Sequence, residues 1–147
     1  MVDMDEDLNR SMMREMDDRQ KTVFLKTLLF ASKIDGKVED SEIKYIKKMA
    51  SKYKVSDIKK IFEPTMEADL FFELKCLNER GWLLELIKEL FRLAHSDDDL
   101  GDAEVLFIGR LSKALNIETE KVEQISNWVV DYLVWREQGK IIFEENE

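Results

Sequence analysis

Five carboxylates fall within eight residues of this chain, at Asp97, Asp98, Asp99, Asp102 and Glu104, and like charges that close repel one another unless water or a cation neutralises them. An oxygen-rich cluster of this kind suits a hard divalent cation, calcium or magnesium. The spacing is not that of an EF-hand loop, which requires acids or amides at alternating positions, a central Gly and a Glu at the twelfth place. A cation held here would occupy a non-standard site, within one turn or shared between two. The cluster has an echo, because Asp35, Asp40 and Glu42 stand 62 residues before Asp97, Asp102 and Glu104, and Val38 stands the same distance before Leu100. The candidate metal ligands are therefore Asp35, Glu42, Asp97, Asp98, Asp99, Asp102 and Glu104.

The same acids have a structural use. A short carboxylate where one helix ends accepts hydrogen bonds from exposed amides of the turn, which suits Asp35 and Asp97. Negative charge in the first turn of the next helix, at Glu42 and Glu104, is favoured by the helix dipole. Val38 and Leu100 would anchor each turn to the core.

The register that aligns the acids continues on both sides of them. Leu25, Leu28 and Leu29 match Ile87, Leu90 and Phe91, while Ile46, Met49, Tyr53 and Val55 match Ile108, Leu111, Leu115 and Ile117. Each copy reads as helix, acidic turn, helix, and each leaves an apolar face that the other copy can cover about a pseudo-twofold axis. The expected fold class is all-α, a single bundle of about seven or eight helices.

Along the chain, residues 1–18 form an acidic arm, a frayed helix or a disordered one, residues 19–138 the helical domain, and residues 139–147 a tail. Gly36 is expected to end the first helix in a left-handed conformation. Ser56 reads as the N-cap of a short helix that Pro64 terminates. A further helix spans about residues 65–77, and residues 82–95 carry the broad apolar face of a central helix. Thr119 reads as the cap of a long last helix that closes the bundle with Val122, Ile125, Trp128, Val129, Tyr132 and Leu133. Ile141, Ile142 and Phe143 suggest an edge strand, a strap or a docking peptide.

Composition narrows the function classes. A length of 147 residues with 44% apolar content is enough for one domain with a real core, and five Gly with one Pro leave few helix breakers. One Cys allows no internal disulfide, and no basic-then-apolar leader opens the sequence, so the cytoplasm is the expected compartment. No uncharged apolar run approaches the roughly 20 residues of a membrane span. The net charge of −9 is unevenly spread: −5 over residues 1–18, +7 over residues 19–60 and −11 over residues 61–147. Nucleic acid is an unsuitable partner for that field, since no aromatic and Arg platform accompanies Lys44, Lys47, Lys48, Lys52, Lys54, Lys59 and Lys60. Those lysines read as the solvated side of amphipathic helices, or as a patch facing an acidic partner or the acidic part of another copy.

The remaining reactive side chains offer little chemistry. His95, the one histidine, suits a helix C-terminus, and its nearness to Asp97 and Asp99 also permits a ligand role. Cys76 lies between Leu74 and Leu77 as a small core residue. Trp82, Trp128 and Trp135 read as packing residues, with Trp135 the most exposed. No phosphate loop, nucleophile elbow, Cys-pair site or dinucleotide fingerprint occurs.

The run Ala31-Ser32-Lys33-Ile34-Asp35-Gly36-Lys37-Val38 followed by Glu42, with its echo at Asp97, Leu100 and Glu104, resembles the TerB-like tellurite-resistance family, which also includes the N-terminal region of DjlA-type co-chaperones. The likeness covers about residues 20–137. It implies an all-helical fold of two pseudo-symmetric halves, with shared acids forming a metal-binding or interaction surface. The matching residues are Asp35, Gly36 and Glu42 in the first copy and Asp97 and Glu104 in the second, where Asp98 replaces the family's Gly. The expected function is a non-catalytic, stress-linked interaction module that binds protein partners and a divalent cation. A metal-dependent hydrolase and a self-assembling, charge-polarised adaptor are the alternatives.

Overall fold

Residues 22–29 are buried without interruption, so the helix that carries them has no solvent face along two turns and the rest of the chain is arranged around it. The computed structural model describes residues 12–34, 36, 38–96 and 102–144. Its elements are α1 (residues 12–15), α2 (Asp18–Ser32), α3 (Asp40–Lys52), a 3₁₀ turn (Ile58–Phe62), α4 (Glu67–Glu73) running into a second 3₁₀ turn (Leu74–Cys76), α5 (Arg80–Ser96), α6 (Asp102–Ala114) and α7 (Thr119–Phe143). The protein is all-α, with seven α-helices and no strand among the described residues.

A helix buried all round must satisfy its polar groups internally. On α2 the hydroxyls of Thr22, Thr27 and Ser32 donate to the carbonyls of Asp18, Val23 and Leu28 at 2.7, 2.8 and 3.1 Å. Its start is a reciprocal capping box: the Gln20 amide donates to Asp17 Oδ1 and the Asp17 amide to Gln20 Oε1, both at 2.8 Å. The Gln20 side chain then donates to the Cys76 carbonyl at 2.9 Å, which pins the helix to the second 3₁₀ turn.

Around α2 pack α3, the first 3₁₀ turn, α4 and α5, with α6 also in contact, and α7 lies against α5 and α6. The core joins Leu25 and Leu28 of α2 to Ile46, Ile61, Leu70, Leu74, Leu86, Ile87, Leu90, Ile108 and Leu111. Phe107 of α6 sits between the rings of Phe30 and Phe71, at centroid distances of 5.4 and 5.8 Å. Met13 and Met16 are buried in the same core, so the described end of the acidic arm packs rather than trails.

The internal repeat is visible in the backbone itself. Lys54 and Asn116, 62 positions apart, adopt left-handed φ values of 58° and 60° just beyond α3 and α6. The Val55 amide donates to the Ala50 carbonyl at 2.9 Å and the Ile117 amide to the Ser112 carbonyl at 2.8 Å, so the same C-terminal capping motif, with an apolar residue after the left-handed one, closes both helices. Gly36 is also left-handed, at φ 84°, as the sequence suggests, but it does not end the helix: α2 stops at Ser32 and Lys33, in the right-handed region, is its C-cap.

Three further local expectations are corrected. Asp57, not Ser56, caps the first 3₁₀ turn, accepting from the Lys59 amide at 3.1 Å. Ser56 instead donates its amide and hydroxyl to Asp18, at 2.7 and 2.6 Å, and these bonds hold the Asp18 carboxyl below its ordinary pKa. Glu118 occupies the N-cap of α7 without a side-chain capping bond, its carboxylate pairing with Arg80 instead, and Thr119 is already helical. Ile141, Ile142 and Phe143 are neither strand nor strap, because α7 continues through Gly139 to Phe143. One glycine costs a helix only about 1 kcal/mol, too little to stop a helix of this length.

Because Lys54 holds a conformation that penalises a Cβ, Lys54→Gly is expected to raise unfolding stability by about 0.5–1 kcal/mol. Asn116→Gly should change it by less, since Asn visits this region readily; urea titration of the two variants checks the ordering.

Candidate functional site

Of the seven candidate metal ligands, Asp35, Asp97, Asp98 and Asp99 lie outside the described residues. The other three occupy the places that the repeat assigns them. Glu42 is in the first turn of α3 and Glu104 in the first turn of α6, and they are almost equally buried, at 7% and 8% exposure. Asp102 begins α6 and is exposed. Among the described residues no three His, Cys, Asp or Glu side chains are grouped to hold a metal ion.

Glu42 borders a pocket of about 240 Å³ together with Ser41, Tyr45, Glu89, Arg92, Leu93, Leu133 and Arg136. At the end of α5, His95 is half-buried and its Nε2 has no hydrogen-bond partner among the described residues. Cys76 is half-buried, and desolvation pushes its thiol pKa up, which suits a packing residue and not a nucleophile.

The sequence reading missed the most unusual group in the molecule. Glu85, Lys88, Glu89 and Arg92 follow one another along α5 at i, i+3, i+4 and i+7, and the first three are buried. Lys88 is paired with Glu85 and stands 3.8 Å from Glu89 Oε1; Arg92 donates to the same oxygen at 2.7 Å. Glu89, only 2% exposed, accepts from the Tyr45 hydroxyl on its other oxygen at 3.1 Å. Burial raises the Glu85 pKa, with Lys88 opposing the shift. Glu85 therefore favours the folded state below the ordinary glutamate range, and that preference is lost as pH rises through its raised value.

The signal for this group was present in the residues, since two acids each stand three positions before a base inside an otherwise apolar helix. What the pattern could not reveal is that this stripe faces inward. Lys26 holds the position in the first copy that Lys88 holds in the second, 62 residues on, and it too is buried, reaching Glu73 at 3.2 Å.

The second surprise is α7. Of its 25 residues only Val129 is fully buried, so the helix does not close the bundle in the way its apolar pattern suggests. Trp135 is 59% exposed, as expected, but Trp128 is 45% exposed where a packed residue was expected, and Ile142 and Phe143 are exposed at 61% and 86%. Trp128 and Tyr132 stack at 6.0 Å, and Tyr132 and Trp135 meet at 6.4 Å, forming an aromatic ladder along the helix in which the two tryptophans are exposed and Tyr132 is half-buried. Beside it a groove of about 510 Å³ is lined by Met12, Leu84, Ile125 and Trp128, with Glu85 and Lys88 also in its wall.

Removing one member of a buried ion pair leaves the other uncompensated, so Lys88→Met is expected to cost about 3 kcal/mol of stability. The double variant Glu85→Leu with Lys88→Leu should come within about 1 kcal/mol of the parent or exceed it, because both desolvation penalties vanish together; chemical denaturation of the two proteins checks this.

No curated protein and no solved structure matches this chain. The family model described as tellurite resistance protein TerB matches residues 27–127, from the middle of α2 into α7. That match takes in both acidic turns, the two helices that follow them and more than half of the chain, and the protein belongs to the TerB family.

Proposed function

We propose that this protein is a non-catalytic interaction module of the tellurite-resistance type, which docks protein partners on the outer face of α7 and binds a divalent cation, calcium or magnesium, at its acidic turns. The observation that carries the reading is the aromatic ladder in which the exposed Trp128 and Trp135 flank the half-buried Tyr132, because a contiguous apolar strip rimmed by polar residues marks a contact surface. Aromatic side chains also supply much of the contact energy at protein interfaces. The buried charges of α5 support the non-catalytic part, since Glu85, Lys88, Glu89 and Arg92 bind one another and make a rigid platform beneath α7.

Two observations favour the cation. Glu42 and Glu104 are held at equal depth in the first turns of α3 and α6, and each directly follows a turn that carries further acids in the sequence. A hard cation would neutralise carboxylates gathered in this way. Its ligands would come from Asp35, Glu42, Asp97, Asp98, Asp99, Asp102 and Glu104.

A photo-crosslinking residue placed at position 135 in cells is expected to give protein adducts, while the same residue at position 48, on the lysine-rich side of α3, gives few. Adducts at neither position, or only at 48, would remove α7 as the docking face. Titration of calcium and magnesium into metal-free protein by calorimetry is expected to show binding that weakens at least about tenfold in Asp97→Asn and Asp99→Asn, each of which deletes a charged oxygen ligand. Heat changes that are absent for both cations would leave the acids to helix capping and surface charge.

A further inference from the structure

Resting on that reading, we infer that the partner covering α7 is a second copy of the same chain, paired with it as an antiparallel coiled coil. The exposed residues Trp128, Trp135 and Ile142 alternate along α7 with the half-buried Ile125, Tyr132 and Gly139, and the six are spaced 3, 4, 3, 4 and 3 apart. That is the heptad seam of a helix that packs on another helix with a period of 3.5 residues. Its exposed part lies beyond residue 127, where the family match ends.

Size decides the direction of pairing. In a parallel pair Trp128 would meet Trp128 and Gly139 would meet Gly139, a crowded layer followed by a void. A twofold axis between residues 133 and 134 instead sets Trp128 against Gly139, Tyr132 against Trp135 and Ile125 against Ile142. Every layer of this arrangement combines one residue from each of the two seam positions, and each isologous contact occurs twice, as a twofold requires. Gly139 gains a reason in this register. A Cβ there would meet nothing within 4 Å among the described residues, so no described neighbour calls for a glycine in mid-helix, but a tryptophan arriving from outside does. The groove gains an occupant as well, because Ile142 of the second copy would enter it beside Ile125 and Trp128.

The area suffices. Taking whole side-chain surfaces of roughly 150–250 Å², the exposed fractions of Trp128, Trp135, Ile142 and Phe143 amount to roughly 500 Å² per copy. Doubled, and with Tyr132 and the groove walls added, this reaches the roughly 1,200 Å² at which stable interfaces begin.

Sedimentation velocity of the full chain at roughly 100 µM, a concentration that fills most of a micromolar dimer, is the first test. A dimer is expected, with Trp135→Glu monomeric. Gly139→Leu is the decisive variant: it should raise thermal stability by removing a helical glycine, yet weaken the dimer at least about tenfold by blocking Trp128 of the other copy. In a Cys76→Ser background, spin labels at Ile142→Cys should lie about 25 Å apart across the dimer, because seventeen residues separate the two sites at about 1.5 Å each; a parallel pair would hold them at about 10 Å. A monomer at that concentration, a Gly139→Leu protein that dimerises like the parent, or the shorter distance would each overturn the inference. A monomer that still yields adducts at position 135 in cells would retire the dimer alone and leave α7 as a docking face for another protein.

Discussion

Two helices, α2 and α5, are denied solvent over most of their length, and the placement of every other described element follows from covering them. Seven consecutive residues of α5, 85–91, are buried, as are eight of α2, and the two helices touch. Each is the first helix of its repeat, so the pseudo-symmetric pairing puts the most apolar surface of one copy against that of the other. The second helices, α3 and α6, then cover the flanks, and each ends in the same left-handed cap. Hydrophobic burial sets this order, because a fully buried Leu or Phe contributes about 1.5–3 kcal/mol and the core contains many.

Burial of that extent also traps charge, and the two halves neutralise it differently. Lys26 and Lys88 occupy equivalent positions and are both buried, yet Lys26 finds its carboxylate on α4, at Glu73, while Lys88 finds its own within α5, at Glu85. The repeat thus preserves where the cation lies and not what neutralises it. Glu89 completes the group by joining Arg92 to Tyr45 of α3, which ties the two copies together next to Glu42. Such a network contributes less to net stability than its number of contacts suggests, because desolvation offsets most of the attraction. It does fix the rotation of α5 about its own axis, since turning the helix would expose Leu86 and Leu90 or strand the charges.

α7 stands apart from this economy of burial. It lies on α5 and α6 through a narrow inner stripe centred on Val129 and leaves Trp128 and Trp135 of its aromatic ladder exposed. The inner stripe and the outer seam are both apolar, so the helix carries two faces at an angle to each other. Among the described residues the inner one is covered by α5 and α6, while Trp128, Trp135 and Ile142 of the other stay exposed. The helix as a whole lies against α5, beside the buried charges of Glu85, Lys88 and Glu89.

The repeat, the all-helical class, the left-handed Gly36 and the first-turn places of Glu42 and Glu104 were legible in the sequence, because each depends on spacing along the chain and on local backbone preference. The family was legible too, carried by Asp35, Gly36 and Glu42 and their echo. The same local logic misassigned the cap at Ser56 and the end of the last helix near Gly139, where a side-chain bond to Asp18 and the length of the helix outweighed single-residue preference. Tertiary structure alone decided the rest. Glu85, Lys88, Glu89 and Arg92 have the spacing of a solvated stripe and are buried, while Trp128 and Ile142 have the character of core residues and are exposed. Periodicity states which residues share a face, but only the packing of whole helices determines which face meets water.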